Sequence, residues 1–346
     1  MNKVEELLPA DGGPWGGTYV DKQFQALLKD IFGSDFLNRF IKSMPQQWFS
    51  LIQSFESVKK TFDNKSGKPL RVLLPYGMFH TFMDLHDGKR LETVIEEYAD
   101  PSVKFQNGHL VIKSERALAF FEPSVKKIVE LVREKLQNPL LEDCTYIFMV
   151  GGFSESAYLQ DEIRKNFELD GHPSPTVLIP GDAQLAIIKG AVLFGNYTDE
   201  IIARVARRTY GFDTFDIFDP KTHNPSNKRG NVCYNIFEVL VEKGQSIPMG
   251  HEIEHLNYPE DDEQTTVVKS FFALDGKPKK PFQYVNDSHV EHVGSVSADF
   301  PEMADYDRKR KTLKISVRFD STEIKVAVTH CITGDIVTSS LNFLSG

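Results

Sequence analysis

Three segments of the sequence carry residues whose types and spacing could line a ligand site. In YIFMVGGFSESAYLQDEIRKNF, from Tyr146 to Phe167, an apolar run meets Gly151 and Gly152, and a helical pattern follows at once. Such a turn is either merely tight or shaped so that something can lie against bare backbone. In GGTYVDKQFQALLKDIFG, Gly16 and Gly17 stand ahead of a helix. Free N–H groups and the positive end of the helix dipole suit an anion there, although a tight opening turn uses the same glycines. In FESVKKTFD, Glu56, Lys59, Lys60 and Asp63 recur at i, i+3, i+4 and i+7. At about 100° per residue Lys59 falls beside the apolar stripe and the other three turn outward. That placement suits the rim of a cleft, and equally a solvated Glu56–Lys60 pair worth a few tenths of a kcal/mol.

These residues need elements to hold them. Val20, Phe24, Leu27, Leu28, Ile31 and Phe32 mark one face of a first helix, with Thr18 and Asp21 as a capping pattern and Gly33 as the stop. A second helix covers about Gln47 to Phe62, with Trp48, Leu51, Phe55, Val58 and Phe62 as its stripe. LRVLLP (Leu70–Pro75) and HLVIK (His109–Lys113) read as strands. Helical patterns follow near Glu115–Phe121 and Pro123–Gln137, with Pro123 in a first turn. After YIFMV and the glycine pair, a helix is expected over Ser154–Phe167, capped by Ser154. TVLIP (Thr176–Pro180) then leads through Gly181 and Asp182 into AQLAIIKGAVLFG, with Asp182 as the cap and Ala183, Ala186 and Gly190 as a small face. Strand–turn–helix repeated in this way is the wiring of a parallel sheet. Ligands of such sheets bind outside the carboxyl ends of the strands, where Gly151, Gly152, Gly181 and Asp182 fall.

Near residue 205 helix-length patterns give way to short period-2 segments separated by Gly, Pro, Asn and Asp. The expected organisation is an α/β domain over 1–205 and an all-β, sandwich-like domain over 206–346. The 346 residues carry 40 Lys and Arg against 49 Asp and Glu, a net charge of −9 that disfavours nucleic acid as a partner. No apolar run approaches the ~20 residues of a membrane span, and MNKVEELLPADGG is unlike a signal peptide. Cys144, Cys233 and Cys331 are widely spaced, which points to reduced thiols and a cytoplasmic setting. The charge runs PEDDEQ (Pro259–Gln264) and DRKRK (Asp307–Lys311) read as solvated loops. HEIEH (His251–His255) matches a zinc-protease pattern that requires a helix, but Pro248, Gly250 and Pro259 surround it with strand-like sequence, so no metal site is expected.

Four segments in order resemble the second lobe of actin-like ATPases, most closely the 70-kDa heat-shock family and its divergent 12A/12B group. FMVGGFSESAYLQDEI resembles the family's adenosine-contacting strand, turn and helix, and IPGDAQLAIIKGAVLFG the helix that follows it. FESVKKTF is similar to the adenosine-gripping helix and GGTYVD to the phosphate-side Gly-Gly turn. More weakly, EVLVEKGQSIP and KISVRFDSTEIKVAVTHCITGDI resemble strands of the family's peptide-binding sandwich. The resemblance implies a nucleotide site with ATP or ADP as cofactor. Glu56 would accept from ribose hydroxyls, and Lys59 and Lys60 would meet the nucleoside. Gly151, Gly152 and Phe153 would form the turn beside it, with Asp182 steadying the next strand–helix turn. Gly16 and Gly17 would turn N–H groups toward phosphate.

The family's Asp-x-Gly-Thr and Asp-x-Gly-Gly-Gly-Thr phosphate loops have no counterpart in this sequence. Those loops hold the terminal phosphates and magnesium, so magnesium is expected only in the complete family site and no catalytic residue is assigned. The chain is expected to be a partial ATPase, a fragment or a true half-protein, that binds nucleotide without hydrolysing it. The alternative is a non-enzymatic interaction module whose β domain meets a polypeptide.

Overall fold

In the computed structural model the residues described are 3–168, 174–197, 200–257, 263–301, 303, 311–319 and 323–342. The first elements are β1 (Val4–Glu5), α1 (Gly17–Phe32), α2 (Ser34–Ser43), α3 (Pro45–Lys60) and β2 (Leu70–Leu73). Next come α4 (Tyr76–Leu85), α5 (Leu91–Glu97), β3 (Val103–Gln106), β4 (His109–Ile112) and α6 (Ser114–Leu136). β5 (Tyr146–Phe148), α7 (Ala157–Phe167), β6 (Thr176–Leu178) and α8 (Ala183–Asn196) complete the helix-rich part. Strands follow: β7 (Ile201–Val205), β8 (Thr209–Ile217), β9 (Lys228–Arg229), β10 (Val232–Val241), β11 (Ser246–Pro248) and β12 (Glu252–Asn257). The last are β13 (Thr266–Leu274), β14 (Val290–Asp299), β15 (Leu313–Phe319), β16 (Glu323–His330) and β17 (Ile336–Asn342). The chain divides into two compact units, Gly12–Leu193 and Met1–Asp11 with Phe194–Gly346.

The first unit is built on aromatic packing between helices. Val20, Phe24, Leu27, Leu28, Ile31 and Phe32 are all buried, as a stripe at helical spacing requires. Phe24 stacks on Phe55 of α3 at 4.0 Å, and Phe55 meets Phe120 of α6 edge-on at 6.4 Å. Gly33 ends α1 at φ +82°, its N–H donating to the Lys29 carbonyl, and Pro45 opens α3 from the first turn. α6 is one continuous helix with Pro123 inside it, rather than two helices divided there. Buried Phe120, Phe121, Ser124 and Val125 hold both sides of the proline in place, so tertiary packing overrides its breaking tendency.

Two small sheets complete this unit. β2, β4 and β3 are antiparallel in that spatial order. β5 and β6 are parallel, with Tyr146, Ile147 and Phe148 opposite Thr176, Val177 and Leu178. That pair places the Gly151–Gly152 turn and the start of α8 beyond the carboxyl ends of adjacent strands. α8 is largely apolar, and Leu185, Ile187, Ile188 and Val192 are exposed. Among the described residues nothing lies within 4 Å of a Cβ built at Gly190.

The second unit holds three sheets, in the orders β1-β7-β11, β14-β13-β8-β10-β9 and β12-β15-β16-β17. Alternate residues of the two larger sheets fill one core, including Phe212, Val267, Phe271 and Val296 from one and Ile315, Val317, Val326 and Val328 from the other. β15 and β16 form the expected hairpin, pairing Ile315 with Val328 and Val317 with Val326. The HEIEH segment is largely strand: β12 pairs antiparallel with β15, so its two histidines do not share a helix face. The residues 259–262 and 307–310 of the two charge runs lie outside the described residues. No helix among the described residues is long and apolar enough to cross a membrane.

Candidate functional site

Lys59 occupies a core position. On α3 the buried residues are Leu51, Phe55 and Lys59, successive members of one i, i+4, i+8 stripe. Its side chain is only 6% exposed, and a buried ammonium needs acidic partners. It has two: Asp21 of α1 at 2.7 Å and Glu56 one turn earlier on α3. Burial raises the Asp21 carboxyl above its ordinary range, and the hydrogen bond and charge of Lys59 oppose that rise without cancelling it. Asp21 is therefore the partner of Lys59 and not a cap. α1 begins after Gly16 with no side-chain cap, and Thr18 lies inside the helix.

The neighbouring Lys60 reaches a different acid. Its ammonium meets Glu155 at 2.8 Å, and this hydrogen bond raises its pKa above the usual lysine value. Glu155 ends a short 3-10 turn, Gly152–Glu155, that follows Gly151. Gly151 sits at φ +89°, a conformation that favours glycine, and its N–H donates to the Ala183 carbonyl at 2.8 Å. Ser154 Oγ donates back to the Gly151 carbonyl at 2.6 Å, which tightens the turn. The cap of α7 is Ser156, whose hydroxyl accepts from the Leu159 N–H, so the helix begins at Ala157 and Ser154 lies before it.

These segments meet in one cleft lined by Gly17, Glu56, Lys59, Lys60, Gly152, Phe153 and Ser156. Six of those seven are residues singled out from the sequence. Gly16 adjoins the cleft as the residue before α1, and Gly151 as the hinge of the glycine turn. Asp182 stands at the start of α8, where its exposed carboxylate takes a hydrogen bond from Lys189 that lowers its pKa. The polar groups lining the cleft are the Lys59 and Lys60 ammonium groups, the Glu56 carboxylate and Ser156, a set suited to a polar neutral or anionic ligand. Among the described residues no group of three or more His, Cys, Asp or Glu side chains is placed to hold a metal ion.

Three residues of the site escaped the sequence reading: Asp21, Glu155 and Ser156. Asp21 and Lys59 each border or occupy an apolar stripe on separate helices, and that pattern signals a buried charge pair. Ser156, three residues ahead of Leu159, carries an ordinary cap signal. Glu155 carries none, because its partner is 95 residues away in sequence.

No protein-family model matches the chain. It is 30% identical over 354 residues to heat shock 70 kDa protein 12B of Homo sapiens, covering 99% of this chain and 50% of that protein. It is 28% identical over 351 residues to heat shock 70 kDa protein 12A of Homo sapiens and 27% identical to that of Mus musculus, each with the same coverage. The chain thus spans about half the length of the curated relatives it matches.

Proposed function

We propose, from the chain's standing as a divergent relative of the heat shock 70 kDa protein 12A/12B group, that it binds the adenosine half of ATP or ADP. The observation that carries this reading is the meeting of Gly17, Glu56, Lys59, Lys60, Gly152 and Phe153, from three distant segments, round one cleft. A Cβ built at Gly151 or Gly152 meets nothing within 4 Å, so the protein's own atoms do not fill the space beside that turn. In this reading a purine nucleoside lies against the bare turn. Glu56 accepts from its ribose hydroxyls and Lys60 meets its base or ribose, while Lys59 fixes Glu56 through their ion pair. The N–H groups at Gly16 and Gly17 face the phosphate side.

Phosphoryl transfer depends on groups that position the phosphates and their metal. The sequence contains neither an Asp-x-Gly-Thr nor an Asp-x-Gly-Gly-Gly-Thr turn. The reading for this chain is accordingly binding without turnover, and ATP hydrolysis with magnesium is proposed only for a complete protein of the relatives' length. The two large sheets share one core, as the layers of a sandwich do, and the proposal that this domain meets a polypeptide rests on the family resemblance.

Isothermal titration of the chain with ATP, ADP and adenosine tests the reading. Saturable binding of all three is expected, with adenosine retaining most of the affinity. No heat with any of them up to millimolar concentration overturns it. Recovery of a polypeptide partner that ignores both nucleotide and Lys59→Ala would favour the interaction module instead.

A further inference from the structure

The cleft holds about 30 Å³. That is close to one water molecule's share of liquid volume, and roughly a tenth of what small-molecule sites enclose. Its walls are the end of α3 with Gly17 of α1 on one side and the glycine turn on the other, and among the described residues one ion pair, Lys60 to Glu155 at 2.8 Å, joins α3 to that turn. The Lys60 and Glu155 side chains are 35% and 26% exposed, so salt and water reach the pair. Lys59 differs: at 6% exposure it is committed to Asp21 and Glu56, and releasing it would strand a buried charge. Of the two lysines only Lys60 can exchange its partner for a ligand at little cost.

We infer that the Lys60–Glu155 ion pair is a clasp that closes the nucleoside cleft, so that Glu155 competes with the ligand for the Lys60 ammonium. Paired, it ties α3 to the glycine turn and keeps a purine out. Parted, it frees one cation and lets the walls separate. Apparent affinity is then reduced by the fraction of molecules whose clasp is closed. This inference rests on the nucleotide reading above and adds a control element to the same site.

Adenosine is the right probe, because it carries no charge and salt therefore acts on the clasp and not on phosphates. Its affinity is measured by titration calorimetry for the wild-type chain, Glu155→Gln and Glu155→Ala at increasing sodium chloride. Wild-type affinity is expected to tighten about two- to five-fold as salt rises, the range that a partly exposed ion pair allows. Both variants should bind at low salt as tightly as wild type does at high salt, and show no salt dependence. Equal, salt-independent affinities in all three proteins would overturn the clasp and leave the nucleotide reading intact. Weaker binding by the variants would also overturn it, since Glu155 would then be a ligand contact. No adenosine binding by any protein at any salt would overturn the nucleotide reading, and the clasp with it. The wild-type salt series needs no substitution, so a variant that folds poorly cannot mask the result.

Discussion

Lys59 of α3 donates to Asp21 of α1 at 2.7 Å, across the same helix pair that Phe24 and Phe55 stack together at 4.0 Å. A leucine at position 59 would continue the Leu51–Phe55 stripe and add apolar burial. Buried ion pairs commonly contribute less to stability than a well-packed apolar replacement. A lysine retained there, with two carboxylates held beside it, makes sense if the charges face a ligand. Glu56 and Lys59 both line the cleft, which is where the proposed nucleotide reading needs them.

Replacing Lys59 by Met should therefore lower stability, and lower it more at neutral than at acid pH. The variant leaves Asp21 and Glu56 without their shared cation, which should cost about 3 kcal/mol at pH 7, the low end for a broken buried pair because both carboxylates keep some contact with water. Burial already raises the Asp21 carboxyl, and Lys59 supplies the opposing effect. Without the lysine its folded pKa climbs further above the unfolded value. A carboxyl raised in the folded state favours folding when protonated, so the variant should regain stability as pH falls from 7 toward 5. Urea denaturation at the two pH values checks the sign. Asp21→Asn combined with Lys59→Met should remove the pH dependence.

Tyr158 offers an alkaline counterpart. Its ring lies edge-on to Phe62 and Phe121, and burial, followed by the charges of Glu162, Glu122 and Asp161, pushes its phenol up to about 12. An unfolded tyrosine ionises near pH 10. The folded state thus holds its proton where the unfolded state has released it. The contribution is fully present below pH 10 and is lost as pH rises from about 10 through about 12. Because the ring is partly exposed, the loss should be about 1 kcal/mol. Thermal unfolding of wild type and Tyr158→Phe between pH 9 and 12 should show the variant falling less steeply.

Much of this was legible in the residues, and the misreadings of Asp21 and Pro123 share one cause. The stripe from Val20 to Phe32 predicts α1 and its buried face, and Gly33 its end, because burial repeats with the helix. Asp21 in that stretch looks like a capping residue because its partner, Lys59, lies 38 positions further on. Pro123 looks like a boundary because the packing that keeps α6 continuous is tertiary. β3 went unread although its signal is local: Asn107 and Gly108, both at positive φ, form the Asn-Gly turn that joins it to β4. Segments that converge on the site were readable from their residue types. The ion pair between Lys60 and Glu155 was not, since neither neighbourhood encodes the other.

Gly151 and Gly152 should respond to substitution in separable ways. Gly151 has φ +89°, so Gly151→Ala forces a side chain into a strained backbone and should cost about 1–2 kcal/mol whether or not a ligand binds. Gly152 is not at positive φ, and a Cβ built on it meets nothing within 4 Å. Gly152→Val should then leave the unfolding free energy within about 0.5 kcal/mol of wild type, as surface substitutions do. If the open space beside this turn receives a purine ring, the same valine should weaken adenosine binding at least about ten-fold, roughly 1.4 kcal/mol. Calorimetry on the two variants separates a backbone requirement at 151 from a space requirement at 152. A Gly152→Val protein that is stable and binds adenosine as wild type does would place the ligand elsewhere.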